Sequence, residues 1–478
     1  MSLNKKNVEE RNFMEKNNAL HEELHRGLEE RHIQLIALGG AIGVGLFLGS
    51  GAAIKTAGPS LMLVYFLAGI IMFYIMRALG EVAVAYPVSG TFSAHANIFL
   101  GPLNGYITGW TYWFMWVVTC MAEITAVGVY VTYWLPEVPQ WIPALLALVI
   151  MTCVNLISVR LFGEFEFWFA LIKVVTIIAM IVAGSAMIIF GIGNGGIAIG
   201  IDNLWSYGGF FPHGFQGMCM AVVMVMFAYL GIELVGVTAG EAKNPEKSLP
   251  AAIDKVFWRI LIFYVGALFV IMSLYPWNQI GTIGSPFVLT FNKLGIRAAA
   301  GIINFVVLTA ALSSCNSGLF STGRMLYNLS LQDKAPAIFS KLNDRSVPTN
   351  GILVSSVFLL IGVILNYLVP AQVFTYVTSV ATFGALWIWG VILMIQLKYR
   401  EGLTAEEIKE IKYPMPHSPV SNWVSLLFLV FVVVVMYFDA DTRVALYIAP
   451  IWFGLITASY YGFGLHKDDV GVRASVDK

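Results

Sequence analysis

Four ionisable side chains lie inside long apolar stretches of the sequence: Glu81, Glu123, Lys173 and Glu233. A charged side chain at membrane depth costs about 2.5 to 3.5 kcal/mol on insertion scales, so such residues usually have a function. Burial disfavours the charged form of both carboxyl groups and amines, which lets them exchange protons near neutral pH. We interpret Glu123, Lys173 and Glu233 as candidates for proton transfer. Neutralisation by a partner inside the helix bundle is the alternative for Glu123 and Lys173.

Glu81 differs from the other three because it lies four residues after Arg77, near the end of its apolar stretch. Residues four apart share one face of a helix, so an ion pair between the two side chains is possible. We therefore expect Glu81 to have a structural role.

The composition indicates the class of protein that must position these groups. Hydrophobic residues make up 58% of the 478 residues, charged residues 12%, and the mean hydropathy is +0.77. Soluble domains contain about 45 to 50% apolar residues and about 25% charged residues. A soluble protein of this size could not cover its surface with so few charged residues. Equal numbers of basic and acidic residues, 28 each, argue against a nucleic-acid-binding protein.

Twelve apolar runs are long enough to cross a hydrocarbon layer about 30 Å thick. They predict an all-α polytopic membrane protein with twelve transmembrane helices. The runs cover residues 33–54, 60–80, 104–133, 141–158, 166–190, 216–238, 257–276, 299–320, 350–368, 373–396, 422–438 and 444–464.

The topology follows from the charges between these runs. Residues 1–32 contain no apolar core of a signal peptide, so we expect the first run to start insertion. With both termini inside, inward segments carry 23 Lys and Arg residues and outward segments carry 4. Cytoplasmic loops retain basic residues, so this asymmetry favours an even number of spans with both ends cytoplasmic.

Glycine-rich breaks interrupt the first and sixth runs. The first reads GGAIGVG at 39–45, and the sixth reads FAYLGIE at 227–233. Each glycine weakens a helix by about 1 kcal/mol relative to alanine. Close helix packing is one explanation, because the first run also has GxxxG spacings. Interrupted helices at matching positions of two five-helix units are also typical of inverted-repeat transporters.

A break at membrane depth exposes peptide groups that need partners from a protein-lined cavity or a ligand. Unpaired N–H groups and the positive end of a half-helix suit a carboxylate, whereas unpaired carbonyls suit an ammonium group. A zwitterion fits such a site.

Other motifs carry little chemistry. HEELH at 21–25 matches the zinc-protease pattern, but it lies in a short charged tail without an evident third ligand, so we interpret it as an amphipathic helix. The cysteines have no metal-binding or disulfide spacing. We expect neither a metal nor a cofactor. The cysteines are Cys120, Cys153, Cys219 and Cys315.

Residues 26–465 resemble bacterial amino acid permeases of the amino acid-polyamine-organocation superfamily. The resemblance is carried by RHIQLIALGGAIGVGLFLGSG at 31–51, AGPS at 57–60, GWTYWFMW at 109–116, GEFEFWFALIKV at 163–174, GIELVGVTAGEAKNPEKSLPAAI at 231–253, INFVVLTAALSSCNSGLFSTGRMLY at 303–327 and DADTRVALYIAPIWF at 439–453.

This resemblance implies a leucine-transporter-like fold in a bacterial cytoplasmic membrane. The first repeat would be 33–190, the second 216–396 and the two additional helices 422–464, with cytoplasmic tails at 1–32 and 465–478. It also implies proton-driven symport. Lys173 falls where sodium-coupled relatives bind sodium, and a fixed cation there favours the proton as the coupling ion.

The resemblance also maps a substrate site onto the two breaks. The substrate carboxylate would meet amides of Gly43, Val44 and Gly45, and the ammonium group would meet carbonyls of Ala41, Phe227 and Leu230, with Phe227 as a lid. Some relatives have a serine or threonine at Val44, so a hydroxyl contact is absent here. The expected substrate-binding residues are Ala41, Ile42, Gly43, Val44, Gly45, Phe227, Ala228, Tyr229 and Leu230.

Glu233 adjoins the sixth break, but no acidic residue is evident in the unwound segments themselves to hold a cationic side chain, and no arginine to hold an acidic one, which favours a neutral amino acid. Large side chains nearby could shrink the pocket: Trp110, Tyr112, Trp113, Phe227 and Tyr229. The closest resemblance is to permeases for alanine, glycine and serine, including D-enantiomers. Threonine/serine transport, exchange without net proton movement and a non-transporting sensor are the alternatives. A channel is disfavoured because no filter motif is present.

Overall fold

The computed structural model describes residues 42–87, 91–157, 159–234, 236, 245–280, 285–293 and 299–466. Every regular element in these ranges is helical. The predicted N-terminal tail, the motif at 21–25, the candidate residue Ala41 and residues 467–478 lie outside the described residues.

The α-helices are labelled here in chain order. They are α1 (Ser50–Ala57), α2 (Leu61–Ala85), α3 (Thr91–Leu100), α4 (Pro102–Val131), α5 (Trp141–Ile157), α6 (Val159–Phe190), α7 (Gly214–Met220), α8 (Val222–Ala228), α9 (Pro245–Arg259), α10 (Ala267–Leu274), α11 (Pro286–Lys293), α12 (Ala299–Leu331), α13 (Thr349–Leu368), α14 (Val373–Glu401), α15 (Ala405–Lys409), α16 (Val420–Phe438) and α17 (Val444–Gly462). Wide π-helical turns precede α1 at Gly45–Gly49 and α10 at Ile260–Gly266.

Nine helical segments in the described ranges are long and apolar enough to cross a bilayer, by length and composition. One of them, Gly45–Ala85, contains the second predicted run and residues 45–54 of the first, and Gly58, where φ is +62°, lies between the two. Two shorter apolar helices, Trp141–Ile157 and Gly214–Ala228, overlap the fourth and sixth runs. Helical segments therefore overlap all twelve runs, and the chain is a multi-pass membrane protein, while the number of crossings stays a prediction.

The long helices α4 and α12 are the most buried of the nine and lie at the centre of the bundle. In the most apolar window of α4, 83% of residues are buried, and in that of α12, 78%. The corresponding share is 33% for α6 and 22% for α17, whose apolar side chains face outward. A helix that is apolar all round needs an apolar environment, so these outer faces suit contact with lipid tails.

α4 and α12 approach closely because small residues and amide side chains lie between them. A Cβ added at Gly318 would fall 2.3 Å from the Cys120 sulfur, so only glycine fits there. The Asn304 amide donates to the Tyr130 carbonyl at 2.7 Å. Close backbone approach and buried amide hydrogen bonds are the interactions that hold helices together where lipid removes the hydrophobic driving force.

A buried ion pair joins α2 to α14 at one end of the bundle. Glu81 accepts two hydrogen bonds from the Arg400 guanidinium, at 2.7 and 2.6 Å, and one from Gln396 at 2.9 Å. It also accepts from the backbone amide of Met415, in the segment that follows α15. The bidentate fork and the amide together satisfy a carboxylate whose side chain is fully buried.

The expected pair between Arg77 and Glu81 is wrong. Arg77 instead pairs with Asp254 of α9 at 3.1 Å and lies over the Tyr413 ring, 3.8 Å from its centroid. A bidentate arginine on a neighbouring helix satisfies the Glu81 carboxylate better than a partner along the same helix, which explains the difference.

Substitution of Glu81 with glutamine should lower thermal stability, because the partly buried Arg400 guanidinium would lose its counter-ion. Breaking a buried pair costs about 3 to 5 kcal/mol. Glu401→Gln is the control: it removes an exposed pair with Lys398, in which the side chains are 63% and 47% exposed. That change should cost less than about 1 kcal/mol. Unfolding in detergent, followed by circular dichroism, measures both, and equal midpoints for the two variants would contradict the assigned role.

Candidate functional site

The first apolar run is interrupted at its glycines. Ile42 and Gly43 are not helical, and the chain then enters the wide turn at Gly45–Gly49. The Gly43 carbonyl accepts hydrogen bonds from the amides of Leu46 at 3.2 Å and Phe47 at 3.5 Å. Glycine weakens a helix by about 1 kcal/mol per residue, which accounts for a break at this sequence.

The sixth run is interrupted where α8 ends. The amides of Tyr229 and Leu230 donate to carbonyls three residues earlier, at 3.1 and 3.0 Å, which tightens the last turn. Gly231 follows with φ of +91°, a conformation that glycine adopts without steric cost. Glu233 comes directly after this turn, so the carboxyl group lies at the break itself.

The two breaks lie in direct contact. A Cβ added at Gly45 would fall 2.6 Å from the Ala228 Cα atom and 3.0 Å from the Phe227 ring, so the two backbones touch. Phe227 is 3% exposed, and its ring lies 6.3 Å from that of Phe374 on α14, measured between centroids. Among the predicted residues, Gly45, Phe227 and Ala228 meet at the crossing. The others within the described ranges lie next to these three in the chain: Ile42, Gly43, Val44, Tyr229 and Leu230.

The Lys173 ammonium group contacts the first break. Lys173 is fully buried on α6, and its Nζ donates to the Ile42 carbonyl at 3.2 Å and to the Ser313 hydroxyl at 3.0 Å. The Ser313 hydroxyl in turn donates to Glu166 Oε1 at 2.8 Å. Because Ser313 belongs to α12, these bonds tie the first break to two long helices.

Glu123 contacts the same break from α4. Its Oε1 would lie 2.8 Å from a Cβ at Gly43, so the carboxyl group rests against the glycine backbone. The Val44 amide and the Ser314 hydroxyl lie beside this carboxyl group, and Lys173 interacts with it electrostatically. Glu123 and Lys173 are therefore neighbours. Their proximity fits both expectations for them, neutralisation by a partner within the bundle and proton transfer.

Glu233 belongs to a separate cluster at the sixth break. It is fully buried, and the Trp389 indole donates to its Oε2 at 3.4 Å. Amides of the break also donate to it, and Tyr112 lies within electrostatic range. Within the described ranges, its partners do not include Lys173 or Glu123.

Tyrosine hydroxyls satisfy carbonyls around the sixth break. Tyr264 donates to the Ala228 carbonyl at 3.0 Å, and Tyr229 donates to the Tyr65 carbonyl at 2.6 Å. The three rings pack with centroids 5.1 to 5.8 Å apart. The sixth break is thus packed against aromatic side chains on this side.

Two of the aromatic residues expected to shrink the pocket bond elsewhere. The Trp110 indole donates to the Lys334 carbonyl at 3.1 Å, and the Trp113 indole donates to Ser355 of α13 at 2.9 Å. Lys334 follows α12 in the chain, and Ser355 lies on α13. Both indoles are therefore bonded to the part of the chain that comes after α12.

Glu166 and the serines of α12 did not emerge from the sequence as candidates. Glu166 is fully buried, yet it opens the fifth apolar run, where an acidic residue is easily interpreted as the polar end of a helix. Its spacing of seven residues from Lys173 was the available signal, because residues two helical turns apart share a face. Within the described ranges, no group of three metal-binding side chains lies together.

Comparisons with known proteins give a consistent result. Residues 32–466 match the family model for amino acid permeases. The uncharacterized amino acid permease YtnA of Bacillus subtilis (strain 168) is 64% identical over 453 residues, covering 95% of this chain and 98% of that protein. The probable threonine/serine transporter YbxG of the same organism is 51% identical, covering 93% and 96%. The aromatic amino acid transport protein AroP of Escherichia coli O6:H1 is 44% identical, covering 92% and 96%.

Because the two breaks cross at Gly45, adding a methyl group at this position should destabilise the protein. Gly45→Ala should lower the unfolding midpoint, because its Cβ meets the Ala228 backbone, and overpacking costs about 1 to 3 kcal/mol. Gly454→Ala on α17 is the control, since a Cβ there has no atom within 4 Å. Removing this helical glycine should be neutral or stabilising, by at most about 1 kcal/mol. A Gly45→Ala protein as stable as wild type would show that the backbones do not touch.

Proposed function

Because the chain belongs to the amino acid permease family, we propose that it carries small neutral amino acids, such as alanine, glycine and serine, across the cell membrane together with protons. The proposed substrates include D-enantiomers. The proton is the proposed coupling ion, and no other cofactor is part of the proposal.

The contact between Lys173 and the Ile42 carbonyl carries the proposal of proton coupling. A buried ammonium group bonds directly to the interrupted backbone, and the Glu123 carboxyl group lies against the next part of the same segment, at Gly43. Hydrogen bonds that involve a charge are about twice as strong as neutral ones. Gain or loss of a proton on either side chain would therefore change how firmly the first break is held.

Recognition of a zwitterion is supported by what already binds the first break. The Val44 amide lies beside a carboxyl group of the protein itself, that of Glu123. A substrate carboxylate needs the same kind of donor, so protonation of Glu123 would release the amide for it. Among the proposed ammonium acceptors, the Phe227 carbonyl accepts one bond, from Leu230, and a carbonyl has a second lone pair.

A small substrate is supported by the close crossing at Gly45 and by the three packed tyrosines beside Ala228. A hydroxylated substrate is also supported, because YbxG is named a probable threonine/serine transporter. Threonine is therefore the second candidate. AroP is named for aromatic amino acids, so side-chain size is the property that a competition assay should vary.

The proposed mechanism is alternating access in a five-plus-five inverted repeat, with repeats at 33–190 and 216–396 and both termini cytoplasmic. The two breaks fall in the first helix of each proposed repeat, which supports this division. An external proton neutralises Glu123 or Glu233, the amino acid bridges the breaks, and the broken helices rock inward. One proton moving through about 100 mV supplies about 2.3 kcal/mol, enough for a roughly fifty-fold gradient of a neutral substrate.

Purified protein in liposomes should accumulate labelled alanine when the outside is made acidic. Empty vesicles should respond, since symport needs no internal substrate. Uptake only into vesicles preloaded with amino acid would instead identify an exchanger. Competition by a panel of L- and D-amino acids of increasing size then measures the substrate range, with glycine, serine and alanine expected to compete best and threonine next.

Lys173→Ala should abolish pH-driven accumulation while retaining exchange of labelled for unlabelled alanine. Loss of the ammonium group removes the protonatable contact with the first break, and proton transfer by a positioned side chain contributes about 100-fold or more. Lys398→Ala, at an exposed lysine on α14, is the matched control and should transport normally. Undiminished accumulation by Lys173→Ala would remove Lys173 from the coupling mechanism.

A further inference from the structure

Glu166 is a buried acid with no part in the substrate site just described. It is fully buried on α6, seven residues before Lys173, and its carboxyl group faces α12. Ser313, Asn316 and Ser317 present their side chains to it from one face of α12. Burying a carboxyl group at membrane depth costs free energy, so a residue such as Glu166 usually has a function.

Ser313 connects Glu166 to Lys173. Its hydroxyl accepts a hydrogen bond from Lys173 Nζ at 3.0 Å and donates one to Glu166 Oε1 at 2.8 Å. A hydroxyl that accepts on one side and donates on the other can receive a proton while passing its own hydrogen on. The three groups therefore form a continuous hydrogen-bonded chain from the amine to the carboxyl group.

We infer that Ser313 and Glu166 form a proton relay for Lys173. The ammonium group gives a proton to Ser313 Oγ as the Ser313 hydroxyl gives its hydrogen to Glu166 Oε1. The step leaves a neutral amine, an intact hydroxyl and a protonated carboxyl group, so charge and atoms balance without another reactant. This inference rests on the proposed proton coupling and names the residue that takes up the proton from Lys173.

The surroundings suit a transfer that removes two charges at once. Among the described residues, three charged groups act on the hydrogen-bonded relay: Glu166 and Lys173, which belong to it, and Glu123 from α4. α12 contributes only hydroxyl and amide groups here. Buried opposite charges bear a large desolvation cost, so the neutral pair is an accessible alternative to the ion pair.

The relay has a mechanical consequence at the first break. The charged ammonium group holds the Ile42 carbonyl at 3.2 Å. After the proton moves to Glu166, the neutral amine makes a weaker hydrogen bond to that carbonyl. Transfer along the chain therefore loosens the first break from α6 and α12, which links proton movement to motion of the broken helix.

Glu166→Gln separates a relay from a structural role, because the amide carbonyl oxygen of the new side chain still accepts from Ser313 but cannot take up a proton. Ser313→Ala interrupts the chain, whereas Ser313→Thr restores a hydroxyl. Glu164→Gln is the matched control on the same helix, at a half-buried glutamate. Each full-length variant is purified, placed in liposomes and assayed for pH-driven alanine accumulation, for its dependence on external pH, and for alanine counterflow without a pH gradient.

We expect Glu166→Gln and Ser313→Ala to slow accumulation by at least about tenfold and to flatten its pH dependence, with counterflow within about twofold of wild type. Ser313→Thr and Glu164→Gln should resemble wild type in all three assays. Wild-type accumulation by Glu166→Gln would overturn the relay, as would failure of Ser313→Thr to restore coupling. Parallel loss of accumulation and counterflow in both relay variants would show a structural role and also overturn it. If wild type itself shows no pH-driven accumulation, the proposed function fails before the variants are compared.

Discussion

Peptide groups freed by a helix break must find partners, and at membrane depth water does not supply them. This constraint governs the centre of the protein. At the first break, Lys173 bonds to the Ile42 carbonyl and the Glu123 carboxyl group lies beside the Val44 amide. At the sixth break, Tyr264 bonds to the Ala228 carbonyl. Side chains that contact the backbone at the breaks include those proposed to carry a proton, so the proposed coupling would use the same contacts that stabilise the breaks.

The surrounding bundle makes these contacts possible. Gly45 lets the two broken helices cross with backbones touching, and Gly318 lets α4 and α12 lie close enough to enclose polar groups. The outer helices contribute apolar faces suited to lipid. At one end of the bundle, the Glu81–Arg400 ion pair fixes α2 against α14, two of the helices that surround the breaks.

The sequence predicted the helical class, the apolar runs and the two breaks, because each depends on local composition. It also singled out Glu123 and Lys173, since charges within apolar runs are conspicuous. It failed where the partner lies on another helix. Arg77 is four residues from Glu81, yet Arg400, more than 300 residues away in the chain, forms the pair. Glu166 was missed because its burial depends on α12 packing over the start of α6.

Hydropathy, glycine spacing and the placement of rare charges were thus sufficient to predict a membrane bundle with two weak points, since these are properties of consecutive residues. Which groups meet at those weak points was decided by the tertiary structure alone. The contacts of Lys173 with Ile42 and Ser313 join positions 131 and 140 residues apart. No local preference encodes such a distance: the partners are selected by how the helices cross, and a buried charge takes whichever donor or acceptor that crossing presents.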